Sequence, residues 1–149
     1  MATSSVPAVK GAILALLQER PALAAVNVSW DQPGTDDLLH EMIFMLDAEF
    51  ASEEVPFLRP RPHRHREQYT IPVVVWTKAE GDDAQGAEER MWEITGEVED
   101  AIRDNTELGI PGVVLMAVVA GTGKRPHNWM DDAARGSECR VDVQVQADI

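Results

Sequence analysis

The chain has 149 residues, a single cysteine and a net charge of -13 at pH 7, from 26 acidic and 13 basic side chains. A chain of this length forms one domain with an ordinary core, and 44% apolar residues argue against disorder. The lone cysteine excludes a disulfide framework, and the acidic excess excludes ordinary phosphate-neutralising binding to free nucleic acid. We therefore expect a soluble single domain over 1–149, made in a reducing compartment, with no membrane span or export signal.

The first predicted element is a helix near the N-terminus. Ser4 or Ser5 can cap it, Pro7 lies in its opening turn, and Pro21 closes it. Its apolar residues recur at helical spacing: Val6, Val9, Ile13, Leu16 and Leu17. These signals together predict one amphipathic helix.

Two extended segments follow the helix. The first is a short strand over 25–30, and turn residues over 31–35 separate it from the second, over 40–50. In the second segment Met42, Phe44 and Leu46 alternate with Ile43 and Met45, although 38–50 could also be a helix. Residues 31–54 carry eight acids and no Lys or Arg.

A basic segment comes next and predicts an extended arm or hairpin at about 55–68. Two prolines within it, Pro60 and Pro62, favour an extended backbone. Its charged and titratable residues are Arg59, Arg61, His63, Arg64, His65 and Arg66. An arm of this kind is typical of a subunit that holds its neighbours; the alternative is an internal hairpin whose first strand is basic.

The arm leads into a strand that is nearly all apolar from Ile71 to Trp76, which predicts a strand covered on both faces. Pro72 cannot donate a ladder hydrogen bond, so we expect the strand to lie at a sheet edge over part of its length. Such an edge invites pairing with another chain.

A second helix is predicted over about 84–105, with an apolar stripe and an acidic face. Glu89, Glu93 and Glu97 are like-charged neighbours at i, i+4, and Glu99 with Arg103 compensates at that spacing. The repulsion favours either a basic partner or a repulsive channel wall, unless the face serves only solubility. Its apolar residues are Ala87, Met91, Ile94, Val98, Ala101 and Ile102.

Two further strands complete the sequence, one over 113–119 and one from Cys139 to Ala147, with a polar loop at 121–136 between them. The last strand alternates strictly between apolar and polar residues, which indicates one buried and one solvated face, with Cys139 as a small core residue. The order is α-β-β-β-α-β-β. This predicts an α+β fold with a mainly antiparallel sheet and two helices packed on it.

Few residues suggest chemistry. His63 and His65 would leave the same face of a strand, with Glu67 beside them, which is an acceptable start for a divalent metal site in a small metal-dependent enzyme. No further ligand is evident, and the neighbouring arginines repel cations. The stretch Gly121–Arg125 lacks the spacing and the hydroxyl of a phosphate loop. We therefore predict no cofactor, no metal and no catalytic residues.

Six segments carry a resemblance to a known family. They are VPAVKGAILALLQERPAL, VNVSW, YTIPVVVWT, AEERMWEITGEVEDAIRDN, GIPGVVLMAVV and CRVDVQVQA. Their order and texture over about 6–148 resemble the tail terminator, or tail completion, proteins of long-tailed bacteriophages, including the minor tail protein U type. These families have no invariant catalytic or ligand motif.

The resemblance implies a structural virion protein in the tail or neck, assembled in the host cytoplasm and without enzymatic activity. Such a subunit forms a hexameric ring on the last ring of tail-tube protein, halts tube growth and presents a docking surface to the head connector. DNA would only pass through its lumen. The alternatives are a head completion or stopper protein, or another neck ring protein, and, from a different class, a cytosolic adaptor or the metal-dependent enzyme.

A contact between subunits follows from this reading of the sequence. We expect the arm, Arg59 to Arg66, to contact the acidic second helix or the 36–54 region of the next subunit. The candidate interface residues are therefore the six arm residues named above together with Glu89, Glu93 and Glu97.

Overall fold

The computed structural model describes residues 4–33, 40–50, 66–120, 124–130 and 134–148. They form two helices and seven strands in the chain order α1, β1 to β4, α2, β5 to β7. The bounds are α1 Val6–Gln18, β1 Asn27–Ser29, β2 Glu41–Met45, β3 Glu49–Phe50, β4 Arg66–Glu80, α2 Ala84–Asp104, β5 Val114–Val119, β6 Arg125–Met130 and β7 Ala134–Asp148. Neither helix is long and apolar enough to cross a membrane.

Two long strands, β4 and β7, form the centre of the sheet and pair antiparallel over all 15 residues of each. On the far side of β4 lie β2 and β3, one after the other, and on the far side of β7 lie β6 and β5. Strand β1 pairs with β2 and is parallel to it. The predicted α+β class, with two helices and a mainly antiparallel sheet, is confirmed.

The hydrophobic core lies between the helices and one face of the sheet. Because side chains alternate along a strand, one face of β4 and β7 supplies a continuous apolar surface that α2 covers. Burying each large side chain stabilises the fold by roughly 1.5–3 kcal/mol before entropy is counted. The fully buried members include Ile71, Val73, Val75, Met91, Ile94, Val98, Cys139, Val141 and Val143. The predicted apolar stripe of α2 and the core position of Cys139 are confirmed.

The expectation that Pro72 marks a sheet edge is wrong, because β4 lies between other strands on both sides. Pro72 stands where the ladder on one side is interrupted, after β2 ends and before β3 begins. Its carbonyl accepts the Leu46 N–H at 2.9 Å. The missing proline N–H therefore removes one hydrogen bond at a break that already exists. Strand β4 is therefore paired on both sides at 69–70 and again at 73–77.

Two predicted segments differ from the structure in detail. The extended segment over 40–50 is two strands, β2 and β3, that meet different parts of β4. The polar loop predicted at 121–136 is not a loop throughout, since β6 occupies 125–130 and β7 already begins at Ala134. Strand β6 is almost wholly exposed, so it lacks the apolar alternation by which strands are recognised.

Candidate subunit interface

The root of the predicted arm is fastened to the start of α1. Glu67, at the beginning of β4, accepts hydrogen bonds through Oε2 from the Ser5 backbone N–H at 2.8 Å and from Ser4 Oγ at 3.3 Å, and also from Ser5 Oγ. Ser5 takes the predicted capping position, but its hydroxyl bonds to Glu67 instead of the helix backbone. A carboxylate at a helix N-terminus is favoured by the helix dipole.

Tyr69 extends this cluster into the core. Its hydroxyl and Ser5 Oγ share a hydrogen bond of 2.8 Å, and burial raises the pKa of Tyr69 to about 12. On the outer side, Arg66 lies 3.4 Å from the Asp148 carboxylate at the end of β7. The first residues of β4 are thus held on two sides, by α1 and by the end of β7.

Most of the predicted arm lies outside the described residues, including Arg59, Arg61, His63, Arg64 and His65. Of the three residues of the possible metal site, the structure describes only Glu67, whose Oε2 is occupied by the α1 contacts. Within the described ranges there is no group of three or more His, Cys, Asp or Glu suited to a metal ion. Because His63 and His65 lie outside the described residues, the expectation of no metal at this pair stays a prediction.

The three acids predicted on the second helix have different partners: one lies outside α2 and two lie within it. Glu97 accepts from Arg20 Nε at 2.7 Å, and Glu93 pairs with Arg90 at 3.1 Å. Glu89 accepts only from the Gln85 amide, at 2.8 Å. Part of the expected repulsion along α2 is therefore relieved within the chain. Among the described residues, Glu89 is the one of the three acids that has no cationic partner.

The predicted compensation of Glu99 by Arg103 does not form. Arg103 pairs instead with Asp100, one residue closer, at 2.8 Å. Glu99 pairs with Lys124 at 2.7 Å, at the start of β6. This ion pair joins α2 to a segment that the sequence predicted as loop.

Every arginine in the described residues lies within 4.0 Å of a carboxylate. The seven are Arg20, Arg66, Arg90, Arg103, Arg125, Arg135 and Arg140. Hydrogen bonds to Glu97, Glu41 and Asp142 raise the pKa of Arg20, Arg90 and Arg140 respectively. All seven arginines of the described residues are therefore paired with acids of the same chain.

The sheet face opposite the helices divides into two halves, separated by an ionic group. Arg140 holds both Glu49, at 2.7 Å, and Asp142, at 3.0 Å. On one side of this group Trp76 stacks on Trp129 with ring centroids 4.9 Å apart. Sequence reasoning missed this stack because Trp129 lies in a polar stretch, although an isolated tryptophan there was the available signal.

No protein-family model matches the chain, and no curated protein matches it. Among solved structures, the chain is similar to a chain in the virion of a native gene transfer agent particle. The TM-score is 0.62 at 12% identity, and the match covers 99% of this chain and 100% of the other. At this identity the likeness establishes a shared fold over the whole domain.

A second solved structure with some likeness is the sheath/tube terminator of an extracellular contractile injection system, PVC, in its extended state. The TM-score is 0.47 at 15% identity, covering 100% of this chain and 57% of the other.

Proposed function

We propose that this protein is a structural subunit of a phage-like particle, forming a ring, six subunits round, that caps the tail tube and ends its growth. The observation that carries the proposal is the shared fold, end to end, with a chain of a gene transfer agent virion. The sequence resemblance to tail terminators supports the more specific role. On this proposal the protein is not an enzyme and acts by binding.

The subunit contact we propose joins the arm of one copy to α2 of the next. The arm contributes Arg59, Arg61 and Arg64, and Glu89 on α2 has no basic partner among the described residues. Because the described arginines are already paired, the arm is the chain's main source of cations for these acids. Opposite charges at neighbouring positions would fix the register of a closed ring.

The other proposed partners are the tail-tube protein on one side of the ring and the head connector on the other. DNA passes through the lumen without specific binding, since a net charge of -13 repels phosphates. Assembly in the host cytoplasm and residence in the virion tail or neck follow from the same proposal.

Tube growth tests the function directly. Purified cognate tube subunits are allowed to polymerise with increasing amounts of this protein, and tube lengths are measured by negative-stain imaging. Capped tubes of arrested length are expected, in proportion to the added protein. Unchanged lengths at saturating protein would reject the capping role.

Another ring protein of the neck, such as a head completion or stopper protein, is the second candidate. The shared fold with a virion chain supports this candidate as much as the terminator, because the matched structure is described only as part of a virion and not by its position in the particle. Copurification separates the two, since a terminator accompanies tails and a stopper accompanies filled heads.

A further inference from the structure

A shallow groove of about 220 Å³ lies on the open face of the sheet, where β5 joins β7 and β4. Strand alternation and register place six of its lining side chains on this face. They are Gln68, Thr70, Met116, Val118, Gln144 and Gln146. The volume is below the roughly 300–1,000 Å³ of small-molecule sites, so the groove suits a protruding side chain better than a ligand.

None of these six side chains carries a charge, although 26% of the residues in the chain do. Two of them are apolar and well exposed, with Met116 52% and Val118 38% accessible. Ion pairs bound the patch at both ends: Arg66 with Asp148, and Arg140 with Glu49. An uncharged centre within a charged rim is the composition of a protein–protein interface.

The absence of charge among the six lining side chains favours a second copy of this chain as the partner. Two copies of a chain with net charge -13 repel each other over most of their surface. They can come into contact at low cost where no charge is buried, and the groove is such a place. A strongly basic partner would meet no acid among the six lining side chains, so the groove itself gives such a partner no electrostatic attraction.

A matching protrusion lies on the opposite edge of the same half of the sheet. Among the described strands the order here is β3, β4, β7, β5, so β3 and the groove strand β5 are the two outermost of them. Phe50, on β3, pairs in register with Tyr69 and therefore lies on the helix-facing side of this edge. It is 51% exposed, and its ring centroid is 5.3 Å from that of Tyr69. A ring requires two different edges of each subunit to meet.

We infer that the groove receives Phe50 of a second copy of this chain, forming a head-to-tail contact. This inference rests on the proposed ring and adds the surface that closes it. Within one chain the two edges are three strand spacings apart, about 14 Å. Phe50 and Val118 can therefore meet only between copies.

Single variants with a matched control provide the test. Val118→Glu places an acid in the groove, and Phe50→Lys places a base on the opposite edge. Met130→Glu alters a methionine on β6 that is 67% exposed and does not line the groove. Each is assayed for assembly by light scattering, with the full chain and its cognate tube ends. Unchanged thermal unfolding by circular dichroism shows that each variant is folded.

The contact predicts that V118E and F50K each lower the assembled fraction by about tenfold, the effect of losing one anchoring side chain. M130E should assemble as the unaltered protein does, and the V118E/F50K double variant should recover assembly through the new ion pair. Normal assembly of V118E, or a double variant that fails to recover, overturns the groove contact and leaves the capping function standing. An unaltered protein that never self-associates, even on tubes, overturns both.

Discussion

The Glu67 carboxylate accepts the backbone N–H of Ser5 at 2.8 Å, although 62 positions separate the two residues in the sequence. This contact joins Ser5, the N-cap residue of α1, to Glu67, the second residue of β4. The start of β4 therefore lies beside the start of α1. The Ser5 hydroxyl makes no capping hydrogen bond to the α1 backbone. The Glu67 carboxylate instead supplies an acceptor at this helix N-terminus, for the Ser5 backbone N–H.

Removing the charge of Glu67 should weaken this junction. Glu67→Gln loses a charge-assisted acceptor at a helix N-terminus, and we expect a loss of about 1–2 kcal/mol in the free energy of unfolding. Urea unfolding monitored by circular dichroism measures it. Glu107→Gln is the matched control, because this exposed residue has no ion pair in the part of the chain that the structure describes. It should change stability by no more than about 0.5 kcal/mol. Equal effects in the two variants would contradict the role of the contact.

We expect the free energy of unfolding to fall at alkaline pH because of the buried Tyr69 hydroxyl. The unfolded chain releases this proton with a pKa of about 10, whereas burial raises the pKa of Tyr69 to about 12 in the folded protein. Below about pH 10 both states keep the proton; above it the unfolded state binds fewer protons, so stability falls as pH rises toward 12, by up to about 3 kcal/mol. Tyr69→Phe should lose this component. Parallel stability profiles for the two proteins between pH 9 and 11.5 would be inconsistent with it.

Substituting alanine at Gly136 and at Gly96 should change the stability of the protein in opposite directions. A Cβ on Gly136 would overlap the Trp129 ring and the Thr77 carbonyl, so Gly136→Ala should cost about 1–3 kcal/mol and disturb the Trp76–Trp129 stack. Gly96, inside α2, has open space at that point, and Gly96→Ala should gain about 0.5–1 kcal/mol. Thermal unfolding with tryptophan fluorescence distinguishes them. A Gly136→Ala protein as stable as the parent would mean that Trp129 does not lie across this glycine.

The arm predicts a charge-dependent ring. Reversing Arg61 and Arg64 to Glu should weaken assembly at low salt, because the arm would then face the acids of the next copy. Adding Glu89→Lys should restore part of the loss, whereas Arg103→Glu, a reversal elsewhere on the same helix, serves as the control. Assembly measured by light scattering at low and physiological salt gives the answer. Unchanged assembly of the arm variant at low salt counts against the contact.

The periodicity of apolar residues correctly predicted the elements that have one buried face and one exposed face. The strict alternation from Cys139 to Ala147 gave β7, and the apolar stripe from Ala87 to Ile102 gave α2, because a single buried face imposes each period. Strand β6 escaped notice because its side chains face solvent and its pairing comes wholly from β7. The prediction of a sheet edge at Pro72 was wrong for a related reason. A proline N is tolerated inside a sheet where the neighbouring ladder is interrupted, and the sequence around Pro72 does not show where the neighbouring strands end.

The acidic candidates on α2 were placed correctly on an exposed helix face, but their partners were not foreseen. Arg20 reaches Glu97 from the far end of α1, 77 positions away, and Arg90 bridges to Glu41 on β2. Such pairs depend on how elements pack, whereas the i, i+4 rule counts only neighbours on one helix. The same limit hid the groove, whose lining comes from three strands that are distant in sequence.

The mass of the purified protein, measured by light scattering alone and after mixing with its cognate tail-tube subunit, tests the central claim most directly. The account predicts a species about six subunits in mass, free or bound at tube ends, and caps visible by negative-stain imaging. A protein that stays monomeric in both conditions and leaves the tubes uncapped would contradict it.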